Sequence, residues 1–232
     1  MGIIVHHPSS SIRRLNSSIV ALLVLSSFMH RLHAAGDVVY QNDFESAALN
    51  EVPEDFLVLD GGFAVREDAG NQFLELPGAP LETFGVLFGP NEKEDMMVSA
   101  RIFATNKGRR YPAFGVGLNG VAGYRLLVAP AKQRVELYRG DDVVASVDHR
   151  WNPGEWLRLA LEVRRTGDRS WTTRGKVWVE AQPEPKDWTI EFLDDTEPFS
   201  GNASVWGKPF SGTPIRYDDF KVVKMEPPTG KL

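Results

Sequence analysis

Met96-Met-Val-Ser-Ala-Arg-Ile-Phe-Ala104, Ala113-Phe-Gly-Val-Gly-Leu118, Arg134-Val-Glu-Leu-Tyr138 and Leu157-Arg-Leu-Ala-Leu-Glu-Val-Arg164 all alternate apolar and polar or small residues. A period of two over several short runs is the mark of half-buried strands. The stretch from Met96 to Arg165 reads as consecutive strands joined by tight turns, a meander of antiparallel hairpins. One face of each strand is apolar and the other mixed. Two such sheets must pack face to face to bury the apolar sides. The fold expected is all-β, a two-sheet antiparallel jelly-roll sandwich.

The pattern extends to both sides of this stretch. Val38 to Glu45 reads as a first strand, and Phe56–Asp60 and Phe63–Arg66 as two short ones around Gly61-Gly62. Gln72–Leu76 and Thr83–Phe88 follow. Glu92, Lys93, Glu94 and Asp95 read as a solvated loop. Beyond the stretch, Lys176–Ala181 and Trp188–Phe192 read as strands, Ala203–Trp206 as a short extended piece, and Ile215–Val223 as the last strand. No stretch has a sustained helical period, and no repeat of 20–50 residues is visible.

The first 35 residues differ in kind. Arg13 and Arg14 precede an eleven-residue apolar run, Ile19 to Met29, and a small-residue exit at Ala34-Ala35. That is the layout of a secretory signal peptide. A membrane span needs about 20 apolar residues, so no stable span is expected. The expected organisation is a signal peptide over 1–35, one β-sandwich domain over 36–226, and a loose tail over 227–232. The expected location is secreted, periplasmic or in the cell envelope.

Charge and composition narrow the partners. The chain of 232 residues holds 26 basic and 31 acidic side chains. Residues 1–35 contain three arginines and no acid, so the remainder carries 23 basic against 31 acidic residues, net −8. This balance lacks the basic footprint of a nucleic-acid binder. The chain has no cysteine, which excludes thiol catalysis and cysteine-zinc sites. Four of its five histidines lie in the leader and His149 alone follows it, so no multi-histidine metal site is available to one processed chain.

Several motifs have plain structural readings. Gly115-Val-Gly-Leu-Asn-Gly120 has the letters of a dinucleotide fingerprint, but the residues after it read as strand, not helix. Arg139-Gly140-Asp141 is what a hairpin turn looks like. Asn202-Ala-Ser204 is a glycosylation sequon. No Gly-x-Ser-x-Gly elbow is present, and no carboxylate pair sits on a convincing strand for glycoside hydrolysis.

The candidate binding residues come from strand parity. All six tryptophans fall between Trp151 and Trp206. Trp178 and Tyr138 lie on the parity opposite the apolar stripes of their strands, as aromatic platforms for a sugar ring. Arg101 and Arg158, of the same parity, would donate hydrogen bonds to hydroxyls. Gly115 and Gly117 would leave a shallow depression on that same sheet face. Asp218 shares parity with Phe220 and Val222, so it is expected to point toward the core. A buried carboxylate needs partners or a cation. A structural calcium ion held by Asp218, Asp43 and the carbonyl of Gly61 would meet that need.

Three short motifs have a family likeness. They are Asn42-Asp-Phe-Glu45, Pro153-Gly-Glu-Trp156 and Tyr217-Asp-Asp-Phe-Lys-Val222. With them the chain resembles the concanavalin A-like lectin and glucanase superfamily, in the laminin-G-like and 3-keto-disaccharide-hydrolase-related jelly rolls of exported bacterial proteins. The resemblance implies pairing of the first and last strands and a structural calcium at Asp218. The Glu-x-Asp-x-x-Glu motif of the glucanases is absent. The expected function is an exported carbohydrate-binding module without catalysis of its own. A glycoside hydrolase or lyase of the same fold, or an envelope domain that binds proteins, are the alternatives.

Overall fold

A computed structural model describes residues 36–78, 82–209 and 212–226. The leader at 1–35 and the tail at 227–232 lie outside the described residues. The strands in chain order are β1 Gly36–Asn42, β2 Leu57–Asp60, β3 Ala64–Asp68, β4 Asn71–Leu76 and β5 Phe84–Glu92. They continue with β6 Met96–Ala104, β7 Ala113–Leu118, β8 Tyr124–Ala129, β9 Arg134–Arg139 and β10 Asp142–Asp148. The last five are β11 Trp156–Gly167, β12 Ser170–Val179, β13 Ile190–Asp194, β14 Gly201–Lys208 and β15 Ile215–Met225.

They form two antiparallel sheets. The eight-stranded sheet has the order β13-β12-β11-β6-β15-β4-β3, with β1 also paired to β15. The seven-stranded sheet has the order β10-β9-β8-β7-β14-β5-β2. This is a jelly-roll sandwich, and its first and last strands pair as expected.

The central stretch is not one meander. β7 to β10 form a meander in the seven-stranded sheet, while β6 and β11 pair with each other in the other sheet. The chain crosses between layers after β6 and again after β10, so alternation continues while the sheet changes. The Arg139–Asp142 turn is a two-residue hairpin with Gly140 at φ 55°, the left-handed conformation that glycine adopts at little cost. Two readings are corrected. Ala203–Trp206 belongs to an eight-residue strand, β14, central in its sheet between β5 and β7. The acidic run is not simply solvated: Asp95 is buried, the Lys224 ammonium pairs with Glu92, and Glu94 accepts from the Trp171 indole at 2.6 Å.

The core lies between the sheets. Val98, Ala100 and Ile102 of β6 and Leu157, Leu159 and Leu161 of β11 oppose Phe114 and Val116 of β7 and Leu126 and Val128 of β8. Each such Val, Ile, Leu or Phe side chain contributes roughly 1.5–3 kcal/mol by leaving water. An aromatic cluster joins β5 and β15 to the segment between β1 and β2: the Phe220 ring lies 4.5 Å from Phe88, 5.1 Å edge-on to Phe44 and 5.8 Å stacked on Phe56.

A one-residue bulge in β15 reverses one expectation. Asp218 pairs with Arg101 and Lys221 with Ser99, so an extra residue enters between them. Asp219 takes φ 50° there. The bulge resets parity, so Tyr217 and Phe220 both face the core while Asp218 shares the outer side with Arg101.

Candidate functional site

The outer faces of the two sheets present different chemistry. On the eight-stranded sheet, cross-strand pairing sets Trp178, Arg158, Arg101 and Asp218 in one row. The Arg101 guanidinium donates to Asp218 at 2.6 Å, to Asn71 at 2.5 Å and to Glu180 at 3.3 Å, and lies 4.7 Å over the Trp156 ring. Arg158 donates to Glu180 at 2.7 Å and to Asp219 at 2.6 Å. Both arginines are thus engaged within the protein. Beside them runs an open polar trough of about 490 Å³, lined by Gln41, Asp43, Ser99, Arg158, Asp219 and Lys221 among others.

The calcium set does not fit. Asp218 is 1% exposed, and its carboxylate accepts from Arg101, Asn71 and the Asp219 N–H. Arg101 supplies the positive charge that the sequence reading assigned to a metal. Asp43 lines the trough instead, and its side chain accepts from the Glu45 N–H at 3.3 Å. Gly61 packs against Phe84 and Leu76 at the end of β2, in the other sheet. Among the described residues no group of three or more metal-ligating side chains comes together.

Tyr138 is on the opposite face of the molecule, on β9 of the seven-stranded sheet, away from Trp178 and the two arginines. The expectation of one shared face is corrected, because parity reports inside or outside and not which sheet. Around Tyr138 lies a pocket of about 250 Å³. Its floor is apolar: Pro112, Ala113, Leu127 and Ala129, with the side chains of Tyr111 and Tyr138 at its walls. Its polar groups are Glu136, Lys132, Arg109 and Lys208.

Local sequence builds this pocket. The 3₁₀ turn Pro130–Lys132 between β8 and β9 closes with Gln133 in the left-handed conformation. It returns the Lys132 ammonium onto Glu136, at 2.9 and 3.0 Å from its two oxygens. The Tyr138 hydroxyl, two residues along the same strand face, donates to Glu136 at 2.7 Å. Burial opposes the charge on Glu136, but the Lys132 and Tyr138 donors outweigh it and hold the carboxyl below its ordinary range. Burial and the Glu136 carboxylate push the Tyr138 phenol up.

Next to the pocket, Arg125 is a wedge between rings. Its guanidinium lies 5.5 Å from the Tyr138 ring and 4.9 Å from Trp206, and donates to the Gly140 carbonyl and to Asp141 at 3.1 Å. Trp206 occupies the outer parity of β14 yet is buried. It lies flat because its strand neighbours are glycines. A Cβ at Gly85 would meet its ring at 2.8 Å, and one at Gly117 would meet its Nε1 at 3.0 Å. The expected glycine depression at Gly115 and Gly117 is therefore filled, by Leu127 and Trp206.

The pocket can bind through a ring wall, an apolar floor and fixed donors. It is poorly equipped for acid–base chemistry. Glu136 is the one carboxylate among its lining residues, where glycoside hydrolysis uses two. A phenol held protonated donates a hydrogen bond and does not remove a proton. Sequence reasoning found Tyr138 but missed Arg125, Lys132, Glu136 and Trp206. The Lys132-x-x-x-Glu136-x-Tyr138 spacing was the available local signal. The sequon of Asn202 lies within β14, and its amide donates to the Gly89 carbonyl at 2.6 Å.

No family model matches the chain, and no curated protein matches it. Solved structures do match its fold. A Bacillus subtilis protein of unknown function with a galectin-like fold has a TM-score of 0.58 at 11% identity, over 82% of this chain and 96% of that one. Carbohydrate-binding module CBM66 from Bacillus subtilis has 0.51 at 13%, over 73% and 95%. The PL-14 alginate lyase from Aplysia kurodai has 0.51 at 12%, over 82% and 100%. These identities speak to the fold alone: the sandwich is a jelly roll of the galectin and concanavalin A kind.

Proposed function

We propose that this protein is an exported carbohydrate-binding module, and that the sugar ring sits in the pocket beside Tyr138. The single observation behind this reading is the make-up of that pocket. An apolar floor and two tyrosine side chains meet fixed hydrogen-bonding groups within about 250 Å³. A sugar has the same two sides, an apolar C–H face and a rim of hydroxyls. A carbohydrate-binding module and a carbohydrate-processing enzyme among the fold relatives support the class without identifying the ligand. The leader-like residues 1–35 support export, and among the described residues no helix is long and apolar enough to cross a membrane.

A second reading places the sugar on the eight-stranded sheet, at Trp178 and Arg158 beside the polar trough. The observation favouring it is the size of the trough, about 490 Å³, and its polar lining. The same experiment separates the two. The purified chain, Tyr138→Ala and Trp178→Ala are each applied to a broad oligosaccharide array. The expected result is binding by the wild type and by Trp178→Ala, with about ten-fold weaker binding by Tyr138→Ala, equivalent to about 1.4 kcal/mol. Loss in Trp178→Ala alone would move the site to the other face. Silence of the wild type across the array would overturn the carbohydrate reading.

A further inference from the structure

We infer that the Tyr138 pocket selects acidic sugars, glycans built from uronate units, over neutral ones; this rests on the carbohydrate reading above. Two basic side chains with no acidic partner line the pocket, Arg109 and Lys208, and two more, Lys107 and Arg110, lie on the same loop as Arg109. The loop between β6 and β7 folds back on itself through paired backbone bonds of Lys107 and Arg110, with Gly108 at the tip at φ 61°. It carries Lys107, Arg109 and Arg110, all exposed. Arg109 lines the pocket, as does Lys208 from the end of β14. Among the described residues, no side chain of Lys107, Arg109, Arg110 or Lys208 enters an ion pair.

The contrast with the rest of the molecule gives this weight. Residues 36–232 carry eight more acids than bases, and Arg101, Arg139, Arg158, Arg174 and Arg216 are each paired with a carboxylate. The pocket's own carboxylate does not neutralise the cluster. Both oxygens of Glu136 are already met by Lys132, and one also by the Tyr138 hydroxyl. Arg109 and Lys208 therefore face the pocket with their charge uncompensated.

A uronate matches this arrangement in both its parts. Its C–H face meets the floor of Ala113, Leu127 and Ala129, and its carboxylate, in the plane of the ring's edge, reaches the basic rim. A charge-assisted bond from Arg109 to a carboxylate is roughly twice as strong as one to a hydroxyl. A neutral sugar would gain the floor but leave the cations in water. The pocket lies below the roughly 300–1,000 Å³ typical of enclosed ligand sites, which suits a single ring of a chain that continues past the rim.

The test uses oligogalacturonate, oligoalginate, fully methyl-esterified oligogalacturonate and a cello-oligosaccharide, each titrated calorimetrically into the purified chain. Esterification keeps the ring and removes the charge. The expected result is at least ten-fold tighter binding of an acidic oligomer than of the ester at 50 mM salt, with the gap closing at 500 mM as screening shortens the reach of the charges. The double variant Arg109→Ala/Lys208→Ala, altered only at exposed positions, is expected to lose about ten-fold for the acid and several-fold less than that for the ester. Equal binding of acid and ester would overturn the selectivity and leave the carbohydrate reading standing. Acid binding unchanged in the double variant would also overturn it. No binding of any of the four would overturn both.

Discussion

Arg101 and Asp218 stand opposite each other on β6 and β15, with the guanidinium Nη2 2.6 Å from a carboxylate oxygen that is closed off from water. Asn71 and the Asp219 N–H complete the coordination of the carboxylate. An aspartate so enclosed is stable only while its charge is answered. The strands that bring it to Arg101 are 117 residues apart in the chain.

Removing Arg101 should therefore cost more than the pair itself is worth, since it leaves a buried charge alone. Arg101→Ala is expected to destabilise the domain by about 3 kcal/mol, a fall in Tm of about 6–12 °C for a domain of this size. Thermal denaturation reads this directly. In the same experiment the wild type should melt at the same temperature with EDTA and with calcium. A chelator-dependent Tm would show that a metal ion, not Arg101, answers Asp218.

The Glu136 carboxyl gives a pH dependence of known sign. A free glutamate titrates near about 4.3, and in the folded protein Lys132 and Tyr138 hold Glu136 lower against the opposing effect of burial. On acidification the unfolded chain takes up its proton first. The stabilisation is therefore full above the unfolded value and is lost as pH falls through the folded one. Denaturant unfolding of the wild type and Glu136→Gln should differ by about 1 kcal/mol at pH 6.5, in favour of the wild type, and the difference should shrink as pH falls below the free glutamate range. A difference independent of pH would mean that Glu136 is not held as a carboxylate.

Asn119 pins the loop between β7 and β8 to two others. It is buried at φ 67°, and its amide donates to the carbonyls of Lys93 at 2.6 Å and Phe199 at 2.9 Å. Alanine removes both donors and strains the left-handed backbone, at about 1–2 kcal/mol for the conformation alone and about 1–3 kcal/mol for the unmet carbonyls. Asn119→Gly restores the backbone freedom but not the bonds, so it should recover part of the loss. Equal stability of the two variants by denaturant unfolding would remove the conformational part of this account.

Much of the fold was legible. Alternation in Val98–Ala104 and Leu157–Val163 marked β6 and β11, and Arg139-Gly140-Asp141 marked a hairpin. The site was legible only in fragments. Tyr138 and Trp178 both carry outward parity, yet they belong to different sheets and face opposite ways. Asp218 was read as inward because Phe220 and Val222 are inward, and one extra residue at Asp219 reversed it. The signal was the three-residue step from Tyr217 to Phe220 across Asp218-Asp219, where a regular strand steps by two.

The sequence by itself determined which residues each strand buries and where the chain turns, because side-chain alternation and turn chemistry act within a few residues. The tertiary structure alone decided which strands share a sheet, that Arg101 would answer Asp218, and that Arg109, Lys132, Glu136, Tyr138 and Lys208 would gather about one pocket. Those outcomes depend on pairing and packing between strands far apart in the chain. Their free energy belongs to the assembled sandwich, and no local window of the sequence contains it.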